Sequence, residues 1–505
     1  MLEGLVDGSR ASRDQHRVLG CGSRLIATLA GCSLEYAALL VRDGGVAAVV
    51  NSMNSCRGAA LGAAILVDGS NALASMLAAL GKSDKEESQI GTTEQSRRGP
   101  SRSQLIQMAL SAVTNAMVSG SARRLLQRTG CQAVCAICED GGAATSAALS
   151  AMAQSKAALK LCETIVAATR NFGSSRSTAQ DACKALRAIA RIGADGKRPP
   201  TAAWTAGTSP SPPTPPIIIA ALIEADAVVA LTDVLSRCGA RMEWRQVGQN
   251  AVRALGAIAQ GGGSEVLLLS GAIEAIVLAV GYVCGEDEDE DESASASASA
   301  ARPRSKSKQG RLAVGKGSGN VPALLRASAC ETIYSVAQTS RVSAQRAEME
   351  GAVHAVAEAM LRDSGADSRC WRVHGWGCKA LTTFARASAL AFDGSSDVRP
   401  GGLRTSRAAA ALVGSIRLCC NKYSRRLTQD ACTAALGLVR HPDGMLSQQL
   451  LDAGAAEALV DLIRVLDGLG VHPKSGAAVD QGEVNNARAA RALLARLRRA
   501  ATETS

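Results

Sequence analysis

QDACTAALGLVRHPDGMLSQQLLDAGAAEALVDLIRVL, residues 429–466, decides the fold, because its pieces return upstream at a near-constant distance. Its last part is an apolar pair, a small residue, Gly454 and then Ala-Ala-Glu-Ala-Leu-Val-Asp-Leu-Ile. The same order returns as LLLSGAIEAIVLAV around Gly271 and AEMEGAVHAVAEAML around Gly351. Looser copies lie at Asp226 (EADAVVALTDVL), Gly130 (LLQRTGCQAVCAI) and Gly44 (LLVRDGGVAAVV).

A second block accompanies these: QDACKALRAIA at 180–190, QNAVRALGAIA at 249–259, LRASACETIYSVA at 325–337 and GCKALTTFA at 377–385. Apolar residues at every third or fourth position share one helical face. Asp226 and Gly271 are 45 residues apart. Gly271 to Gly351 spans 80, which becomes 43 once the low-complexity stretch 285–321 is set aside. A self-similar, wholly helical unit of about 42 residues predicts an all-α solenoid in the size class of the longer helical repeats.

The order of elements sharpens this. One helix ends at Gly, a second opens on Ala-Ile, Ala-Val or Ala-Ala, and a third carries Ala-x-x-Ala-Leu-x-x-Ile/Leu-Ala. This resembles the armadillo repeat. The resemblance implies an armadillo-like right-handed superhelix of about nine imperfect three-helix repeats over 20–500, with third helices lining a concave groove. Gly suits the break on independent grounds, since a left-handed residue between two helices is strained for any side chain.

Composition agrees with such an array, which forms one continuous core from neighbour contacts. Ala, Leu, Val and Ser dominate, and aromatic residues make up only 2%. A net charge of +11 suits acidic partners or nucleic acid. Of the sixteen cysteines, Cys183, Cys330, Cys378 and Cys432 occupy equivalent places, with Val252 in the same place of another unit. Exchange with Val marks a small buried residue, and no disulfide framework is expected. MLEGLVDGSRASRDQ lacks the apolar core of a secretory signal, and Leu2 excludes amino-terminal myristoylation. Val266 to Cys284 has the length of a membrane span, but Glu274 and the Gly271 break argue against one. A cytoplasmic location, also nuclear, is expected.

Three insertions interrupt the pattern: 81–102 and the Pro-rich 193–216 read as flexible loops, and 285–321 as disordered. The last joins seven acids, Glu286 to Glu292, to alternating Ser and Ala and then to Arg302, Arg304, Lys306, Lys308 and Arg311. RPRSKSK in it has the form of a weak nuclear-import signal. VNNARAARALLARLRRA, within 484–500, reads as a capping helix.

Chemistry yields near misses. Cys131, Cys135 and Cys138 have the spacing of an iron–sulfur motif but lie on a predicted helix with no barrel pattern after it. Cys370, His374 and Cys378 share a helical face as three zinc-type ligands without a fourth, beside Trp371 and Trp376, which favours packing. Gly81-Lys82-Ser83 lacks the first Gly of a phosphate loop, where Met76 stands. No catalytic group, metal or cofactor is assigned, and an enzyme with an unrecognised site is the least favoured reading.

Binding remains. Import adaptors of the armadillo family carry Trp and, four residues on, Asn on their third helices. Here the matching pairs are Lys184 and Ala188, Arg253 and Ala257, Glu331 and Ser335, and Lys379 and Thr383, so both halves of that clamp are missing. Lys184, Arg187, Arg253 and Lys379, continued by Arg488 and Arg491, instead predict a partly basic groove that suits acidic segments of protein partners, as in the β-catenin-like branch. The expected function is a non-catalytic scaffold or adaptor. The alternative is an electrostatic nucleic-acid-associated or transport-related repeat protein, disfavoured because single-strand binders stack bases on exposed aromatics and this chain has few. No motif sets an oligomeric state.

Overall fold

The computed structural model describes residues 10–56, 62–87, 100–139, 142–194, 216–238, 241–281, 321–363, 370–392, 402–405, 407–421, 423–442, 444–470 and 481–504. Among them every regular element is a helix. They group into two compact units, the first over 10–194, 216–234 and 260–263, the second over 235–259 and 264–504.

The chain begins with α1 (Arg10–Cys32), followed by the triplet α2 (Leu34–Arg42), α3 (Gly45–Ser55) and α4 (Gly62–Glu87). A pair comes next, α5 (Arg102–Ser119) and α6 (Arg124–Glu139). Six more triplets follow: α7 (Ala143–Gln154), α8 (Ala157–Asn171), α9 (Arg176–Ala194); α10 (Ile217–Glu224), α11 (Ala227–Cys238), α12 (Arg245–Ile258); α13 (Ser264–Leu269), α14 (Ala272–Gly281), α15 (Val321–Ala337); α16 (Arg341–Met349), α17 (Ala352–Arg362), α18 (Cys370–Phe392); α19 (Gly402–Thr405), α20 (Ala408–Asn421), α21 (Arg425–Val439); and α22 (Gly444–Asp452), α23 (Ala455–Gly470), α24 (Gln481–Thr504). The repeat is therefore a short helix, a second helix and a longer third one. Third helices stack on their successors: α1 on α4, α4 on α6 and α6 on α9 in the first unit, and α12, α15, α18, α21 and α24 in turn in the second.

The break between first and second helices behaves as the sequence predicts at Gly44, Gly271, Gly351 and Gly454, whose φ values are +84°, +70°, +86° and +84°. The backbone oxygen of each accepts from the amide four residues on, as in Ala355 to Gly351 at 3.1 Å, and so starts the second helix. Asp226 (φ +58°) does the same without being Gly. Gly130 does not: it lies inside α6, a third helix, and the break belongs to Lys156 (φ +59°).

At one place in every third helix the residue is small and buried: Ser23, Ser70, Cys131, Cys183, Val252, Cys330, Cys378, Cys432 and Ala487, none more than 7% exposed. Cys131 thus repeats Cys183 rather than opening a cluster motif. Burial drives the Cys131, Cys378 and Cys432 thiols away from ionisation, with Cys432 pushed up to about 12.

The residue before this place is Gly in four repeats, and in three of them it faces a second-helix methionine. A Cβ on Gly69 would lie 2.7 Å from Met53 Cγ, one on Gly130 2.4 Å from Met117 Cγ, and one on Gly377 2.4 Å from Met360 Sδ. The long thioether fills the space that the missing side chain leaves. Gly377→Ala is therefore expected to destabilise by about 1–3 kcal/mol through overpacking, although Ala is the better helix former. Gly437→Ala is the control, since its Cβ would meet Ala385 Cβ at an ordinary 3.5 Å, and it is expected to stabilise slightly. Urea unfolding of both variants checks the opposite signs.

A buried polar network fastens the second unit. Arg326 on α15 donates through Nε to Asp363 Oδ2 and through Nη2 to Asp363 Oδ1, both at 2.8 Å. The backbone oxygen of Asp363 lies 3.1 Å from His374 Nε2 on α18, and His374 Nδ1 lies 2.6 Å from Ser415 Oγ on α20. Burial holds the His374 pKa below its ordinary value. The neutral ring then donates from Nε2 to the carbonyl and accepts at Nδ1 from the serine hydroxyl.

Insertion boundaries differ from those read in the sequence. Residues 81–87 complete α4, Gly193 and Ala194 are buried in the last turn of α9, and Ser101 caps α5 in a reciprocal box with Gln104. The rest of the 81–102 loop (88–99), residues 195–215, and all of 285–321 but Val321 lie outside the described residues, as do the acidic run and RPRSKSK. The terminal helix spans Gln481–Thr504 rather than 484–500. At Gly271 the chain turns by 91°, so the described part of the candidate span Val266–Cys284, residues 266–281, is not one straight helix. Among the described residues one straight helix, over Gly62–Ala79, is long and apolar enough to cross a membrane, and 56% of that stretch is buried in the fold.

Candidate functional site

The exposed side of each third helix carries the residue after the small buried place and those three and seven positions further on. In α9 these are Lys184, Arg187 and Arg191; in α15 Glu331 and Tyr334, with Gln338 just past its end; in α18 Lys379, Thr382 and Arg386; in α21 Thr433 and Leu436, with Arg440 at its C-cap; in α24 Arg488, Arg491 and Ala495. The helical spacing places them in one stripe per helix.

In four third helices the first residue of the stripe reaches the next third helix. Arg24 Nε is 3.1 Å from Asp68 Oδ2, Gln132 Nε2 2.8 Å from Asp181 Oδ2, Arg253 Nε 3.1 Å from Ser328 Oγ, and Lys379 Nζ 3.8 Å from Asp430 Oδ2. Every acceptor stands two residues before the small buried place of its own helix. These contacts form rungs between successive repeats, so the predicted basic stripe is partly a fastening ladder.

The six predicted groove residues fall accordingly. In the first unit Lys184 is half-exposed on α9, and Arg187 Nη2 stands 3.6 Å from Glu139 Oε1 on α6. In the second unit Arg253 and Lys379 serve as rungs, Arg488 is exposed, and Arg491 pairs with Asp467 on α23. Arg253, Glu331, Lys379, Thr433 and Arg488 do occupy the same register on stacked helices, with Glu331 and Thr433 interrupting the cations. The positions where an adaptor asparagine would stand are filled by buried Ala188, Ala257 and Ser335 and by half-exposed Thr383, leaving no amide to grip a peptide backbone.

A feature absent from the sequence reading lies where α15, α18 and α21 meet. Tyr334 and Trp376, both half-exposed, have ring centroids 5.6 Å apart. Lys379 Nζ sits 4.5 Å from the Trp376 ring centre, a cation–π contact, while facing Asp430. Desolvation raises the Asp430 pKa against the pull of Lys379 and Arg426. Tyr334 is also raised, by desolvation first and by Asp430, with Arg386 acting the other way. Arg386 and Arg440 are exposed at the same register of α18 and α21. An aromatic pair ringed by arginine and lysine has the composition of a protein-binding hot spot.

Nothing comparable supports catalysis among the described residues. Ser415 and His374 are hydrogen-bonded, but both are buried, and each ring nitrogen of His374 already has a partner. That arrangement also fills the coordination sites a zinc reading of Cys370, His374 and Cys378 would need, and no group of three metal-type side chains converges among the described residues.

No family model matches the chain, and no curated protein matches it. Solved structures with detectable similarity include an engineered protein from a structural genomics consortium, 16% identical, covering 67% of this chain and 97% of its own at a TM-score of 0.37. Another is a circular tandem repeat protein with novel repeat topology, 13% identical, covering 97% of this chain and 98% of its own at a TM-score of 0.27.

Proposed function

We propose that this chain is a non-catalytic, armadillo-type scaffold, cytoplasmic and nuclear, that holds an acidic segment of a protein partner on the third-helix face of its second unit. The observation that carries the reading is the half-exposed Tyr334–Trp376 pair flanked by Lys379, Arg386 and Arg440. In a chain with four Trp, four Tyr and three Phe, placing two of them together at the surface favours contact with a ligand. Arginines around them favour carboxylates and speed encounter. Lys379 contributes less than its charge suggests, because Asp430 offsets it.

The test is affinity purification from native cells, at low and high salt and with nuclease, using the intact chain and a Tyr334→Ser/Arg386→Glu/Arg440→Glu variant. These side chains lie outside the rungs, so the fold should persist. A nuclease-resistant protein partner lost at least tenfold from the variant is the expected result. Recovery of nucleic acid alone, with steep salt dependence, would sink the reading in favour of electrostatic binding. Partners indifferent to the variant would move the site elsewhere.

A further inference from the structure

We infer that the chain's own acidic run, Glu286–Glu292, occupies the basic third-helix face of α18 and α21 when no partner is bound, so that a partner's acidic segment has to displace it. The inference rests on the reading of that face as a site for acids. Arg372, Lys379 and Arg386 stand seven residues apart on α18, and Arg426, Thr433 and Arg440 do the same on α21, so each set lies on one side of its helix. The four arginines are exposed, and among the described residues none of them forms an ion pair, whereas Lys379 is engaged by Asp430. On α15 the same register holds Leu324, Glu331 and Gln338, so the positive charge begins at α18.

Charge, reach and composition suit the run to this face. Packed helices lie ~8–10 Å apart, which is the rise of about three extended residues, and every residue of the run is acidic, so each register offers a carboxylate to Arg386 and another to Arg440. Tyr282–Gly285 alone join the end of α14 to the run, which puts its first acid within ~18 Å of Gly281 and its last within ~40 Å. Second helices pack on the third helices of their own triplets, as α17 does on α18 and α20 on α21. With α14 on α15 in the same way, α18 and α21 stand about two and three helix spacings from α14, or ~16–20 and ~24–30 Å, inside that reach. A tether this short gives a local concentration of order millimolar, enough to fill a face of weak intrinsic affinity. The run has no apolar side chain to lay on Tyr334 and Trp376, so a partner that adds one to its acids binds more tightly and replaces it.

The probe is a fluorescent peptide with the run's own sequence, GEDEDEDES (285–293), titrated against the full chain and against the full chain neutralised by Glu→Gln and Asp→Asn throughout 286–292. The neutralised chain should bind it about tenfold more tightly than the wild type or better, because its face is vacant. Adding Arg386→Glu/Arg440→Glu to the neutralised chain should abolish that binding with an unchanged circular dichroism spectrum. A photo-cross-linking residue in place of Asp289 should attach to α18 or α21 of the same molecule, giving a product of monomer mass whose yield is unchanged by dilution. Equal affinity of the wild-type and neutralised chains overturns the inference while leaving the acid-binding face intact. So does a cross-link that lands outside α18 and α21 or forms only between two copies. A neutralised chain that ignores the peptide, or binds it regardless of the two glutamates, sinks the acid-binding reading of the face and the inference with it.

Discussion

Asp363→Ala is expected to cost about 3–5 kcal/mol, because it strands the Arg326 guanidinium in the interior of the second unit. Both side chains of the pair are 6% exposed, and the two oxygens of Asp363 take two guanidinium nitrogens at 2.8 Å. Water cannot replace the lost carboxylate without opening α15 from the end of α17. Arg326→Met should cost a similar amount near neutral pH and less in acid, where the orphaned carboxylate can protonate. Arg326→Met/Asp363→Leu should recover most of the loss, since no charge is then left buried. Urea unfolding gives the comparison, provided that the slope stays constant across variants. A single-site loss below about 1 kcal/mol would mean that the pair is solvated in solution. Asp363→Ala keeps the backbone oxygen that binds His374, so the effect belongs to the ion pair and not to the imidazole.

Local chemistry was legible in the sequence, and contacts between distant segments were not. The glycines at 44, 271, 351 and 454 announce themselves because a left-handed residue between two helices has a strong residue preference. Lys156 gave no such signal, and Gly130 gave a false one: it is needed for close approach to Met117, a packing reason that looks identical in one dimension. The buried cysteines were recognised by their exchange with Val252, which is a within-chain comparison. The rungs were missed because pairing Lys379 with Asp430, or Gln132 with Asp181, requires the register between helices. The same holds for Arg326 and Asp363, 37 residues apart, and for Tyr334 and Trp376, which belong to different repeats. Two of the six predicted groove residues, Arg253 and Lys379, are thereby turned from recognition to fastening, while Trp376, which its neighbours in sequence mark as packing, forms half of the aromatic pair at the centre of the site.

Glu348→Gln is expected to remove a pH dependence on the order of 3 kcal/mol from the stability of the second unit. Glu348, on α16 and 4% exposed, accepts from the Leu403 amide at 3.2 Å and from Gly402, at the start of α19. A Cβ on Gly402 would lie 2.7 Å from Glu348 Cγ, so the glycine permits this approach. Among the described residues the other carboxylate oxygen has no hydrogen-bond partner. Desolvation outweighs the two amides and raises the pKa from 4.5 to about 7. The folded state therefore holds a proton that the unfolded chain releases above pH 4.5, and stability falls as pH rises from about 4.5 to about 7. At 1.36 kcal/mol per unit the full effect is about 3 kcal/mol. Glutamine resembles the protonated acid at every pH, so the difference in unfolding free energy between wild type and variant should change across that window and be flat outside it. His374 works in the opposite sense: its lowered pKa means that stability falls as pH drops below 6.5, where the unfolded imidazole charges first. A wild-type minus variant difference that stays constant from pH 4 to 8 would show that Glu348 is ionised and solvated, and with it that the α16–α19 contact opens in solution.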